Sequence, residues 1–285
     1  MPERFRLLVA YDGSPCADDM IEDLSNAGIP AAAHILVVSV AERWLPPPSV
    51  YEVATARSVA RGKDYAVRLA RMGASQMSAR HPEWTIEQEG HTGSPAGVIL
   101  QRAKDWNAQL VVAGSLGHNA VERIFIGSVS QKVANEAHCS VRVSRGKRPS
   151  GGLKLLLAYD GRPGSEAAAA AIATRTWPAG TEVLVVAATG FNGPPLGECD
   201  IPSDREVLER LLDPVCQMLT EAGLHVRTSI QEADPKNLIV EEATRWDCHC
   251  IFAGCNDHSI VERLLLGTVS AALISRAPCS VEVVR

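Results

Sequence analysis

Val111-Val112-Ala113-Gly114-Ser115-Leu116-Gly117, followed nine residues later by Gly127-Ser128-Val129-Ser130, decides how the whole chain is read. A short apolar run closes on a glycine, a second glycine follows, and Gly-Ser then opens a helical pattern. Glycine adopts φ > 0 without steric cost and lets backbone come close to an anion. A helix beginning at Ser128 would aim its free N–H groups and positive dipole end at the same spot. Together these features build a phosphate cradle from main chain rather than from lysines. The frame returns at Ile251-Phe252-Ala253-Gly254-Cys255-Asn256-Asp257 and Gly267-Thr268-Val269-Ser270, with Asp257 where the second glycine stood.

Outward from the cradle, Leu7-Leu8-Val9-Ala10 reads as a buried strand that Tyr11-Asp12-Gly13-Ser14-Pro15 breaks sharply. Asp12 therefore falls just past a strand's carboxyl end, the rim where open α/β sheets bind ligands. The pattern then predicts a helix over 16–26, a strand over 34–40, an irregular loop at Pro46-Pro47-Pro48, and a long helix from 51 to about 79. A strand over 84–88 follows, then a helix with Ser94 as N-cap and Pro95 first. The cradle strand, the helix after Gly127 and a last strand over 140–143 complete the half.

After a polar, breaker-rich linker over 145–152 the plan repeats, with Leu155-Leu156-Leu157-Ala158-Tyr159-Asp160-Gly161 matching the first strand and turn. The second long helix spans 203–222 and stops at Gly223. Two domains are expected, 1–146 and 152–285, each β-α-β-α-β-α-β-α-β. Such alternation implies a Rossmann-like α/β class: two tandem open parallel five-stranded sheets with helices on both faces and right-handed crossovers. If the Asp12 and Gly114 strands are neighbours at the point of strand-order reversal, carboxylate and cradle share one crevice. A carboxylate suits a ribose hydroxyl or an adenine amine, and the cradle suits phosphates. The implied ligand is a nucleotide.

Composition narrows the partners. A hydrophobic content of 46% with 21% charged residues is that of a globular protein. The net charge of −5 argues against nucleic-acid or anionic-membrane surfaces. No apolar run is long enough to span a bilayer, and Met1-Pro2-Glu3-Arg4-Phe5-Arg6 holds no apolar signal core. Eight scattered cysteines fit a reducing compartment, so a cytoplasmic location is expected.

The motif Gly-x2-Gly-x9-Gly-Ser, met by Gly114, Gly117, Gly127 and Ser128, together with the Asp-Gly-Ser turn and the Cys139-Ser140-Val141 tail, resembles the tandem universal stress proteins. The resemblance covers essentially the whole chain. It implies ATP, with or without Mg²⁺, bound in the first domain. Asp12 would lie at the ribose, the Val40 backbone at the adenine and the glycine set at the phosphates. Ala10, His118, Val129 and Ser130 complete the implied ligand set. It further implies pairing of last strands in an intramolecular pseudo-dimer, with a homodimer and an unidentified protein partner left open. The role would be stress signalling rather than catalysis, at most a slow ATPase; the competing class is an interaction scaffold without nucleotide.

Plainer readings stand beside these. The glycines can serve only a strand–loop–helix turn, and Asp12 can be a turn residue that caps the following helix. Glu122-Arg123 and Glu262-Arg263 can clamp phosphates or be solvated helix surface. Cys248-His249-Cys250 reads as strand core, His249 facing away from both thiols. Arg142 and Glu282 hold equivalent positions with opposite charge, which antiparallel pairing of the last strands could bring close. Asp257 puts a side chain and a negative charge where phosphate would approach, so the first half is expected to bind ATP and the second not.

Overall fold

A computed structural model describes residues 4–42, 51–115, 126–146, 152–189, 204–255 and 266–285, apart from the side chains of 51–60 and 204–208. The chain divides into two compact units, Met1–Gly146 and Lys147–Arg285. The first contains β1 (Arg6–Ala10), α1 (Pro15–Leu24), β2 (His34–Glu42), α2 (Tyr51–Arg80), β3 (Thr85–Gly93), α3 (Pro95–Asp105), β4 (Leu110–Gly114), α4 (Ser128–Glu136) and β5 (Ser140–Ser144). Its strands lie in the order β3-β2-β1-β4-β5, every neighbour parallel. The second contains β6 (Lys154–Ala158), α5 (Pro163–Ala173), β7 (Glu182–Thr189), α6 (Asp204–Glu221), β8 (His225–Glu232), α7 (Pro235–Arg245), β9 (Cys250–Gly254), α8 (Thr268–Arg276) and β10 (Ser280–Val284). Its order is β8-β7-β6-β9-β10, again parallel.

The apolar runs make this architecture because both sheet faces are covered. Leu7 and Val9 of β1 enter one layer with Met20, Ile21 and Leu24 of α1 and Ala70, Ala74 and Met77 of α2. Leu8, between them, is equally buried and alternates to the opposite face, where α3 packs on β2. Each of the buried Leu, Val, Ile and Met side chains contributes about 1.5–3 kcal/mol by leaving water. The second unit repeats the layer with Leu155, Leu157, Ile172, Leu212 and Leu219.

One local expectation needs correction. β3 continues to Gly93 rather than stopping at Gln88. Its outer half, Glu89-Gly90-His91-Thr92, lacks the apolar alternation of a strand because other devices hold it. Glu89 accepts both Nε and Nη2 of Arg102 at 2.8 Å, and α2 lies directly on Gly90, where a Cβ would fall 2.2 Å from the Val67 nitrogen. Burial opposes ionisation of Glu89, yet its hydrogen bonds from Arg102 and His91 prevail and hold the carboxyl below its usual range. Ser94 is the N-cap of α3 with Pro95 first, as expected; its carbonyl accepts the Val98 N–H at 3.0 Å, and its hydroxyl makes no capping bond.

Arg142 and Glu282 each have a partner inside their own unit. The Arg142 guanidinium meets the Asp23 carboxylate of α1 through two bonds of 2.9 and 3.1 Å, and Ser144 Oγ donates to the same carboxylate at 2.9 Å. Glu282 accepts from Arg175, just beyond α5, in a pair whose side chains are 0% and 8% exposed. The repeat thus keeps a dry ion pair between last strand and first helix region while exchanging its signs.

Candidate nucleotide-binding site

The reversal of strand order lies between β1 and β4. From β1 the chain proceeds outward to β2 and β3, then returns to place β4 on the other side. Ala10 pairs in register with Ala113, so Asp12 and Gly114 leave adjacent strands at the same edge. Crevices at such points are where open α/β sheets take ligands. Val40, near the end of β2, opposes His91 of β3 on the same edge.

The Asp12 turn has a definite geometry. The Ser14 N–H donates to Asp12 Oδ1 at 3.0 Å, closing an Asx turn. Ser14, not Asp12, caps α1: its hydroxyl accepts the Ala17 N–H at 3.2 Å. Gly13 has φ +75, and a Cβ there would meet Leu69 of α2 at 2.7 Å, so the turn demands glycine twice over.

Across the crevice, Gly127 is the N-cap of α4, with φ −66, ψ 147 and no side-chain cap. Ser128, Val129 and Ser130 form the first turn, whose N–H groups have no helical acceptor. Gly127 donates its own N–H to Ser115 O at 2.7 Å, and Ser130 Oγ donates to Gly114 O at 2.5 Å. These bonds seat the helix on the end of β4. The Ser130 hydroxyl is engaged there, so its contribution to an anion would come from main chain. Gly117, His118, Glu122, Arg123, Asp257, Glu262 and Arg263 lie outside the described residues.

The second unit copies the frame and alters its chemistry. Gly267 caps α8, and Ser270 Oγ donates to Gly254 O at 3.0 Å. A Cβ on Gly254 would fall 2.0 Å from the Gly164 carbonyl carbon, at the start of α5. This glycine therefore has a packing reason that needs no ligand. Asp160 accepts the Arg162 N–H at 3.1 Å, repeating the Asx turn, and its other oxygen stands 3.8 Å from Arg162 Nε. Arg162 occupies the place of Ser14, so the second carboxylate has a guanidinium at hand. Nothing in the glycine spacing announces this; the Arg in Asp160-Gly161-Arg162 is the only sequence signal.

The cysteines behave as core. All seven described cysteines are free thiols, and Cys248, Cys250, Cys255 and Cys279 are buried. β9 begins only at Cys250, so strict alternation does not reach Cys248, whose thiol donates to Cys250 O at 3.2 Å. Burial, then a hydrogen bond with the Cys279 thiol, pushes the Cys248 thiol far up. His249 Nδ1 accepts the Lys154 N–H at 3.0 Å. Among the described residues no three His, Cys, Asp or Glu side chains stand together as a metal site, and no helix is long and apolar enough to cross a membrane.

Comparison with known proteins adds a family. The model of the universal stress protein family matches residues 3–145 and again 153–285. A Staphylococcus aureus (strain USA300) protein named for that family is 31% identical over 140 residues, spanning 49% of this chain and 82% of its own length. A universal stress protein from Archaeoglobus fulgidus superposes with a TM-score of 0.71 at 20% identity, over 98% of both chains. A Pseudomonas aeruginosa UCBPP-PA14 protein gives 0.61 at 16% identity, over 98% of this chain and 92% of its own. With both halves matched, the chain belongs to the universal stress protein family.

Proposed function

We propose that the chain binds one ATP, in the crevice of its first unit, and works as a cytoplasmic regulatory module of the stress response rather than as a fast enzyme. One observation carries this reading: a carboxylate turn at Asp12, just past β1, and a helix start at Gly127, bonded to Ser115 just past β4, stand at the ends of adjacent strands at the switch point. Asp12 would accept the ribose hydroxyls, the β2 end around Val40 would face the base, and the first turn of α4 would receive the phosphates. Ala10, Gly114, Gly117, His118, Val129 and Ser130 complete the set carried by the family resemblance. Mg²⁺ would enter with the phosphates.

The second unit is proposed to be empty of triphosphate. Asp257 replaces the glycine of closest approach, and a carboxylate about 4 Å from a phosphate repels it by roughly 4 kcal/mol at an effective dielectric of 20. A helix end returns only about 0.3–2 kcal/mol for a charge. The Asp160–Arg162 pair supports the same asymmetry, although both partners are half-exposed and the attraction itself is small. A second reading, a scaffold without nucleotide, gains from Gly254, whose glycine is explained by packing alone.

The test is Asp12→Ala in the full chain. Losing a hydrogen bond to a charged group removes about 1.5–3 kcal/mol, so calorimetry should find ATP affinity lowered roughly 10- to 150-fold. Equal affinities for the two proteins would remove Asp12 from the site.

A further inference from the structure

We infer that Ser39, Tyr11 and Gln76 are positioning residues that hold the Asp12 carboxylate at the rim of the first unit, without touching the ligand themselves; this rests on the ribose role proposed for Asp12. Tyr11 immediately precedes Asp12 and is fixed at both of its peptide groups and at its ring. Its N–H donates to Val38 O at 2.9 Å. Its carbonyl, in the same peptide plane as the Asp12 nitrogen, accepts Ser39 Oγ at 2.6 Å, and Ser39 is 1% exposed. That bond sets the plane from which the Asp12 side chain departs.

The ring is held just as closely. The phenol donates to Asp18 Oδ1 at 2.6 Å, and Gln76 Nε2 donates to the same oxygen at 3.0 Å and to the phenol at 3.4 Å. α2 approaches closely enough that a Cβ on Gly73 would meet the Tyr11 ring at 2.9 Å. A strand, a helix start and a long helix thereby converge on the residue before the carboxylate.

The second unit retains the tyrosine and, with Glu166 in the place of Asp18, an acidic side chain near its phenol, but not the serine or the glutamine of the clamp. Tyr159 keeps its bond to Val186 O at 2.9 Å. The residue after Val186, in the place of Ser39, is Ala187, which has no hydroxyl. Leu211 meets Gly161 as Leu69 meets Gly13, and this alignment puts Met218 where Gln76 stands and Val215 where Gly73 stands. There Asp160 faces Arg162 instead. Clamp and carboxylate role therefore occur in the same unit and are lost in the same unit.

The experiment compares ATP with 2′,3′-dideoxy-ATP by calorimetry on the full chain, for the native protein, Ser39→Ala, Gln76→Met and the rescue variant Ser39→Thr, which keeps the hydroxyl. The native protein should favour ATP by about tenfold or more, the value of a charge-assisted hydrogen bond to ribose. Ser39→Ala should lose most of that preference by weakening ATP about fivefold or more while dideoxy-ATP changes little. Gln76→Met should lose part of it and Ser39→Thr should restore it. A purely structural role would weaken both ligands together, and that outcome overturns the inference. So does a preference that survives intact in Ser39→Ala and Gln76→Met, which leaves the proposed site standing. A native protein that does not distinguish the two ligands, or binds neither, overturns the ribose role and the positioning with it.

Discussion

At the scale of single residues, the molecule's strongest constraints are polar groups kept from water. Arg142 is 1% exposed, and Asp23→Ala removes a carboxylate that balances its charge in the interior. That loss should cost about 3–5 kcal/mol, read as a lowered denaturation midpoint with an unchanged urea slope. Tyr11 gives a pH signature. Burial first, then the Asp18 carboxylate, pushes its phenol well above the ordinary value of 10.0, and burial also raises Tyr159. A raised folded-state value means stability fully present below the unfolded pKa and lost progressively as pH rises beyond it. Phenolate absorbance should therefore show these two of the four tyrosines ionising after ordinary phenols, with stability falling above about pH 10. Four phenols titrating together near the ordinary value would contradict the clamp around Tyr11. Asp12 was legible in the sequence because turn chemistry sits two residues past an apolar run. Its supports were not: Asp18, Ser39 and Gln76 lie 7, 28 and 65 residues from Tyr11, and only the fold brings them together.

At the scale of elements, legibility followed apolar periodicity. β1, β4 and their repeats are apolar runs covered on both faces, and they stand close to where the pattern puts them. The outer half of β3 was hidden because Gly90 and the Glu89–Arg102 pair hold it instead of alternating apolar side chains. The glycine motif was half-legible. Its spacing pointed to backbone approaching something, but not whether that something was a phosphate or another helix. In the second unit it is α5, which predicts that Gly254→Ala destabilises that unit by overpacking, by about 1–3 kcal/mol or more, with no nucleotide present. An unchanged melting temperature for Gly254→Ala would show that α5 does not need the glycine.

At the scale of the whole molecule, two units share one topology and differ where a ligand would be felt. The duplicated frame was plain from Leu7–Gly13 returning at 155–161, and the family match over both halves agrees with it. The differences are small in sequence and large in chemistry: Ser14 becomes Arg162, Ser39 becomes Ala187, and Gly117 becomes Asp257. The first sets a guanidinium beside the turn carboxylate, the second removes the hydroxyl that holds the peptide before it, and the third puts a carboxylate in place of a glycine. One occupied site per chain is therefore expected, and the direct measurement is the nucleotide released by acid from protein saturated with ATP and freed of excess ligand. One mole of adenine nucleotide per mole of native chain, and none from Gly117→Asp, is the predicted result. Two moles per chain, or undiminished nucleotide in Gly117→Asp, would contradict it.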